Sequence, residues 1–353
     1  MSTEAEPHGS STPPARRLTV VMPVYNDWVS AALLIRDIGS AMAGSGYAVD
    51  IVAVDDGSSE PPPLALDPGP GIAAVECLML AANLGHQRAI AVGLMAVAER
   101  ADLDLVAVMD SDGEDRPAEL RTMADRAAQT ADKAIVAQRS ERSESVLFKS
   151  FYALYILVFR LMTGQRINFG NFTVLQPAHV RRVIGNAHIW NNFPAAALHS
   201  RIAVEYVPTR RGKRYAGQSR MNFIGLVTHG LGAISVHSEA VFVRILFASL
   251  ALLLVSVGLG GAALYMKLFT SLAIPNWATT VLGFALVISI QALMMPILMA
   301  FLLLNNRSAI QPLPASVALS MIRERRALWS QSRILPLETQ AQQKAGGALA
   351  PPA

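Results

Sequence analysis

Four acids, Asp110, Asp112, Glu114 and Asp115, fall within six residues and directly follow the apolar run Leu105–Met109. Such a run reads as a buried strand, which puts the acids at its carboxyl end. Clustered hard oxygen ligands suit Mg²⁺ or Mn²⁺, ions that complete their coordination with phosphate oxygens. The bland alternative is a solvated acidic turn capping the helix that begins near Pro117.

Two further runs end in the same way. Leu18–Pro23 leads into Val24-Tyr25-Asn26-Asp27, and Ile51–Val54 into Asp55-Asp56-Gly57-Ser58-Ser59, with a helical pattern over Ser30–Gly44 between them. Strand, helix, strand with polar residues at the strand ends is the βαβ unit, and ligands of such sheets sit at the carboxyl ends of the strands. The pattern continues through a strand at Ala73–Leu80, a helix at Gly85–Arg100, the strand before the acids, and a short strand at Ala134–Ala137. A mostly parallel, helix-covered α/β sheet is expected. Basic residues follow at Arg139, Arg142 and Lys149, and again from Arg211 to Arg220. Arginine suits phosphate because its fork is bidentate, although the same charges would attract anionic lipid.

Composition departs from that of a soluble protein: of 353 residues, 52% are hydrophobic and 16% charged. The excess lies in Val241–Met266 and Thr279–Leu304, each long enough to cross the roughly 20-residue span of a bilayer core. The loop near Lys267–Trp277 holds one lysine, whereas Arg210, Arg211, Lys213, Arg214, Arg220 and Arg244 precede the first span and Arg307, Arg323, Arg325, Arg326 and Arg333 follow the second. Basic flanks favour the cytoplasmic side, so both large flanks are read as cytoplasmic, at the inner membrane. Lipid head groups account for the modest net charge of +4 better than nucleic acid does. Phe148–Met162 is apolar but too short to span, and Asn222–Ser238 carries apolar residues near helical period, so both read as helices lying in the interface. Cys77 is the lone cysteine and is expected in the core.

The ordered set Pro23-Val24-Tyr25-Asn26-Asp27, Val54-Asp55-Asp56-Gly57-Ser58-Ser59, Asn83-Leu84-Gly85-His86 with Ala89, Ala91 and Gly93, and Met109-Asp110-Ser111-Asp112-Gly113-Glu114-Asp115 resembles the family 2 glycosyltransferases of GT-A fold. More narrowly it is similar to the polyisoprenyl-phosphate group, which includes dolichol-phosphate mannose synthase. The resemblance covers roughly residues 17–305. It implies a metal-dependent enzyme in which Asp112 and Glu114 contact the ion and Asp110 lies nearer the ribose or behind the ligands. Pro23, Tyr25, Asp27 and Asp55 would line the nucleotide pocket with Asp110 and Ser111, the Asp55 carboxylate accepting from a ring N–H. Asp110, Asp112 and Arg139 are the expected catalytic residues, and Arg139, Lys149, Arg214 and Arg220 the grip on an acceptor phosphate.

The organisation implied is an arm over residues 1–16, a GT-A (Rossmann-like) mixed sheet with helices on both faces over 17–220, an interfacial helix over 221–240, two transmembrane helices over 241–305, and a basic tail over 306–353 with a disordered end. A nucleotide-sugar donor, a polyprenyl-phosphate acceptor and membrane lipids are the expected partners, with a homo-oligomer also open. One position departs from the family. Many relatives carry an aspartate in a Gly-Asp-Phe-Arg-like segment where this chain has Gly170-Asn171-Phe172, and an amide cannot act as a base. An anionic phosphate acceptor needs none. Three alternatives stay open. A processive polysaccharide synthase usually needs more spans and a Gln-x-x-Arg-Trp-type segment, approached here only by Arg326-Ala327-Leu328-Trp329. A non-catalytic membrane scaffold would bind no nucleotide, and a nucleotidyltransferase would leave the two spans unexplained.

Overall fold

The computed structural model describes residues 16–139, 156–165, 170–216, 230–270, 277–309 and 315–331. Residues 1–15 of the expected arm, the end of the tail, and Arg142, Lys149, Tyr152 and Arg220 lie outside the described residues, as do residues 148–155 and 222–229 of the two expected interfacial helices.

One eight-stranded mixed sheet organises the globular part. Its strands are β1 (Arg16–Val24), β2 (Tyr47–Asp55), β3 (Ile72–Leu80), β4 (Leu105–Val108), β5 (Lys133–Arg139), β6 (Thr173–Leu175), β7 (Ala203–Thr209) and β8 (Ile322–Ser330). They lie in the order β7-β5-β6-β4-β1-β2-β3-β8. The central four, β4-β1-β2-β3, are parallel, and their near-continuous apolar sequences follow from burial on both faces. One face packs against α1 (Trp28–Met42) and α3 (Pro117–Gln129), through Leu34, Ile35, Ile38, Leu120 and Met123. The other packs against α2 (His86–Ala98), α4 (Pro177–Ile184) and α5 (Phe193–His199), through Ile90, Leu94, Val180 and Phe193. Cys77 is buried in β3, where burial pushes its thiol up to about 12, so it packs as a small apolar group.

Two strands break the parallel pattern. β6 enters antiparallel between β4 and β5, pairing Thr173 with Val108 and with Val136. β8 comes from the segment expected to be a basic tail. It follows the two long helices and closes the sheet antiparallel to β3, with Arg326 opposite Cys77 and Trp329 opposite Val75. The globular unit is therefore not confined to residues 17–220, and Arg326–Trp329 serves as a strand. Burial alternates along β8 from Ile322 to Leu328, Leu328 and Trp329 pack on the core, and Arg325 meets Glu76 while Arg326 meets Glu324. The expected membrane-length helices appear as α6 (Ser238–Phe269) and α7 (Trp277–Ala309), followed by the short α8 (Ala315–Ser320). Both long helices are apolar enough to cross a membrane, and only 11% of each apolar window is buried. They meet through small residues: Ser256 Oγ donates to the Ala285 carbonyl at 2.8 Å, and Gly260 lets Ala285 come close.

Gly93 sets the depth at which α2 sits on the sheet. A Cβ there would stand 2.6 Å from Val21 Cγ1 and 2.7 Å from Val54 Cγ2. Gly93→Ala is expected to destabilise the domain by about 1–3 kcal/mol through overpacking, read as a lower melting temperature; an unchanged value would show that α2 can lift without cost.

Candidate active site

Every parallel strand of the centre ends at the same edge of the sheet, and the polar segments found in the sequence gather there. After β1, Asn26 adopts a positive φ of 49° and ties two turns together: its Oδ1 accepts from Ser59 N at 2.8 Å, and its own N–H donates to Ser58 Oγ at 2.8 Å. Asp55, at the end of β2, is 2% exposed and accepts from Trp28 Nε1 at 2.9 Å and Ser58 N at 2.7 Å. Asp56 accepts from the amides of Leu84 and Gly85 at 2.7 and 2.9 Å, which moors the loop that opens α2. Burial pushes the Asp56 carboxyl above the usual carboxylate range despite those two amides. Its role was not read from the sequence, where it looked like one more acid of a turn.

After β4 the acids fold back on themselves. Asp110 N donates to Asp115 Oδ2 at 3.1 Å, and Glu114 N to Asp112 Oδ1 at 2.9 Å. The segment following β7 then crosses over this loop. Gly212 N donates to the Glu114 carbonyl at 2.8 Å and Tyr215 N to the Asp112 carbonyl at 3.0 Å. Two glycines permit the approach: a Cβ on Gly212 would lie 2.3 Å from the Gly113 carbonyl, and one on Gly113 would meet the Tyr215 ring at the same distance. This crossing carries two guanidiniums to the acids. Arg214 pairs with Asp112 Oδ2 at 2.5 Å and lies 3.6 Å from Asp27, while Arg211 donates to Glu114 Oε2 at 3.0 and 2.6 Å. Arg214, expected on an acceptor phosphate, thus stands between Asp112 and Asp27.

The register of β6 does the rest. Since Thr173 pairs with Val108, Asn171 arrives opposite Asp110, and its Nδ2 donates to Asp110 Oδ1 at 3.0 Å. His86 Nε2 lies 3.1 Å from the same oxygen and 2.9 Å from Asn171 Nδ2. Loss of water around His86 lowers its basicity, but Asp110 with Asp112 and Asp56 outweighs this, leaving the imidazole above its ordinary range. Of the remaining expected residues, Pro23 lies within β1, Tyr25 is exposed at its end, and Ser111 is buried beside Asp110. Arg139 ends β5 opposite Thr209. The groups that sequence reasoning missed are Asp56 and Gln87; only the adjacency of Gln87 to the His86 motif hinted at a role.

Among the described residues no three His, Cys, Asp or Glu side chains converge as a ready-made cage for a metal. Asp112 and Glu114 instead offer two carboxylates that face the cationic heads of Arg214 and Arg211. Two carboxylates matched to positive charge fit an ion such as Mg²⁺ or Mn²⁺ that takes its other ligands from substrate phosphates.

Residues 19–183 match the description "Glycosyl transferase family 2". The chain carries a family 2 glycosyltransferase domain. An undecaprenyl-phosphate 4-deoxy-4-formamido-L-arabinose transferase of Klebsiella pneumoniae (strain 342) is 28% identical over 222 residues, covering 61% of this chain and 65% of that protein. The protein of the same name from Salmonella paratyphi B is 28% identical over 221 residues, with the same coverage. The chain thus spans just under two thirds of the length of the curated relatives it matches. Among solved structures, glucosyl-3-phosphoglycerate synthase of Mycobacterium tuberculosis, in complex with Mn²⁺, UDP and glucosyl-3-phosphoglycerate, superposes with a TM-score of 0.42 at 13% identity over 64% of this chain and 80% of that one.

Within the glycosyltransferase domain, the acids are held against their preference. Burial pushes the Asp112 carboxyl above the usual range and Asp110 adds repulsion, more than the Glu114 amide and Arg214 recover. A carboxyl with a raised folded pKa withholds stability above that value and returns it as pH falls through it. In chelator, Asp112→Asn should therefore melt above wild type near pH 7, and the advantage should disappear as pH falls toward about 4, the ordinary carboxylate value. An advantage independent of pH would point to a cause other than the charge.

Proposed function

We infer that this protein is a membrane-anchored, metal-dependent inverting glycosyltransferase that moves a sugar from a UDP- or GDP-sugar to a polyprenyl phosphate at the cytoplasmic face of the inner membrane. The observation that carries the reading is the convergence of Asp55, Asp110, Asp112 and Glu114 at one sheet edge, in a family 2 domain whose chain continues into two membrane-length helices. The undecaprenyl-phosphate sugar transferases among its relatives support the acceptor class.

On this reading the nucleotide lies across the ends of β1 and β2, between Tyr25, Asp27 and Asp55, with its ribose toward Asp110. Asp112 and Glu114 would hold a divalent ion, which would supply positive charge to the leaving diphosphate. Arg211 and Arg214, on their crossing segment, are placed to exchange a carboxylate for a phosphate oxygen as the donor enters. An acceptor phosphate oxygen then attacks the anomeric carbon from the side opposite the diphosphate; the new carbon–oxygen bond forms as the old one breaks, and the nucleoside diphosphate departs. Arg139, Lys149 and Arg220 remain the proposed grip on the acceptor. The phosphate already carries the charge of a nucleophile, so the neutral Asn171 is compatible with the reaction. The membrane helices bring the site to its long-chain substrate and take no part in the chemistry.

The direct test is to incubate the purified protein with Mn²⁺ and a panel of UDP- and GDP-sugars, with and without undecaprenyl phosphate, and to measure nucleotide release. Release that depends on the lipid is expected, and Asp112→Ala should abolish it while the protein stays folded. Nucleotide release that ignores the lipid but rises with a simple sugar acceptor would overturn the acceptor assignment.

Asn171→Asp offers a second check. It replaces an N–H donor 3.0 Å from Asp110 Oδ1 by a second carboxylate, so transfer to polyprenyl phosphate should fall by about tenfold or more. A gain in rate would mean that the position wants a base and that the acceptor is a hydroxyl.

A further inference from the structure

The hydrogen-bond chain that reaches Asp110 begins at a backbone amide, and that origin fixes the direction of every link. Phe193 N donates to Gln87 Oε1 at 2.7 Å. A backbone N–H can only donate, so the buried Gln87 must turn its oxygen to Phe193 and its Nε2 to Asn171. Gln87 Nε2 meets Asn171 Oδ1 at 3.1 Å, which leaves the Asn171 Nδ2 group for the site. That group lies 3.0 Å from Asp110 Oδ1 and 2.9 Å from His86 Nε2. Turned over about its terminal bond, Asn171 would occupy the same space with an oxygen against the Asp110 carboxylate. Nothing about its shape forbids this; the partner behind it does.

We propose that Gln87 is a positioning residue for the donor site, holding the Asn171 amide so that an N–H donor always faces Asp110. It touches neither donor nor acceptor and acts through Asn171. The functional part of this inference rests on the proposal that Asp110 lies at the nucleotide's ribose; the geometric part does not. The relay starts at the first residue of α5 and passes through α2 to Asn171, two residues ahead of β6, so it links elements remote in sequence to one carboxylate.

Gln87→Glu separates this role from packing. Glutamate keeps the side-chain shape and still accepts from Phe193 N, but it offers Asn171 an oxygen, which turns the amide over and sets Oδ1 against Asp110. Full-length wild type, Gln87→Glu, Asn171→Ala and the double variant are compared in detergent by thermal unfolding and by calorimetric titration with UDP and with GDP, each with Mn²⁺. Gln87→Glu is expected to bind its nucleotide about tenfold more weakly, the scale of one misdirected buried hydrogen bond, and to melt below wild type. Both losses should be absent when Gln87→Glu is added to Asn171→Ala, because no amide remains to turn. A Gln87→Glu protein indistinguishable from wild type, or one whose losses are as large without Asn171 as with it, overturns the relay. If wild type binds neither UDP nor GDP, the nucleotide reading of the site falls, and the melting-temperature cycle decides the relay by itself.

Discussion

Repulsion among the carboxylates at one sheet edge is the constraint around which the rest of this structure is arranged. Asp110, Asp112, Glu114 and Asp115 crowd a single loop, and like charges that close disfavour ionisation unless donors and cations surround them. The chain meets this need from three directions. Backbone amides of the loop itself bond Asp112 and Asp115. The segment after β7 brings Arg211 and Arg214. The entry to β6 brings the Asn171 amide. The first supply is local, but the other two depend on different long-range pairings, so the site is complete only once β6 and β7 have joined the sheet.

The sheet's departures from parallel order are what make those supplies reach. An antiparallel β6 beside β4 starts at the edge where β4 stops, so residues entering one strand face residues leaving the other. With β6 parallel, Asn171 would lie at the far edge. β7 then runs parallel to β5 and releases its chain at the edge that holds the acids, over which Arg210–Tyr215 turns back.

A second pairing joins the globular domain to the two long helices at both ends. Before α6, residues 230–237 pack Ala233 and Val236 against Phe159 and Ala195, and Arg244 donates to the carbonyls of Arg160 and Leu161. After α7 the chain returns as α8 and β8 and adds a strand to β3. A domain held at both ends of a helical hairpin has less freedom to tumble than one held by a single linker, which suits a site whose proposed acceptor stays in the membrane plane. The Arg326–Trp329 segment, which bears on the processive-synthase reading, is spent on this strand, where its backbone pairs with Glu76, Cys77 and Val75.

Local sequence determined a good deal here. Apolar runs ending in acids marked β1, β2 and β4 and the edge where those acids gather, because a strand buried on both faces has no other composition open to it. The long, nearly uncharged stretches marked α6 and α7, which are long and apolar enough to cross a membrane, and the motif order identified the family. What only the tertiary structure decided depends on partners distant in the chain. Thr173–Leu175 is three residues long and Ile322–Ser330 is rich in arginine, so neither declares itself as a strand until a neighbour completes its hydrogen bonds. Asn171 read as a lost base, and its place as a donor to Asp110 follows from the β4–β6 register. Arg214 read as a phosphate ligand, and its pairing with Asp112 follows from the chain crossing that Gly113 and Gly212 allow. Residue types announce which chemistry is available; the meeting of two charges depends on backbone pairings that no local pattern encodes.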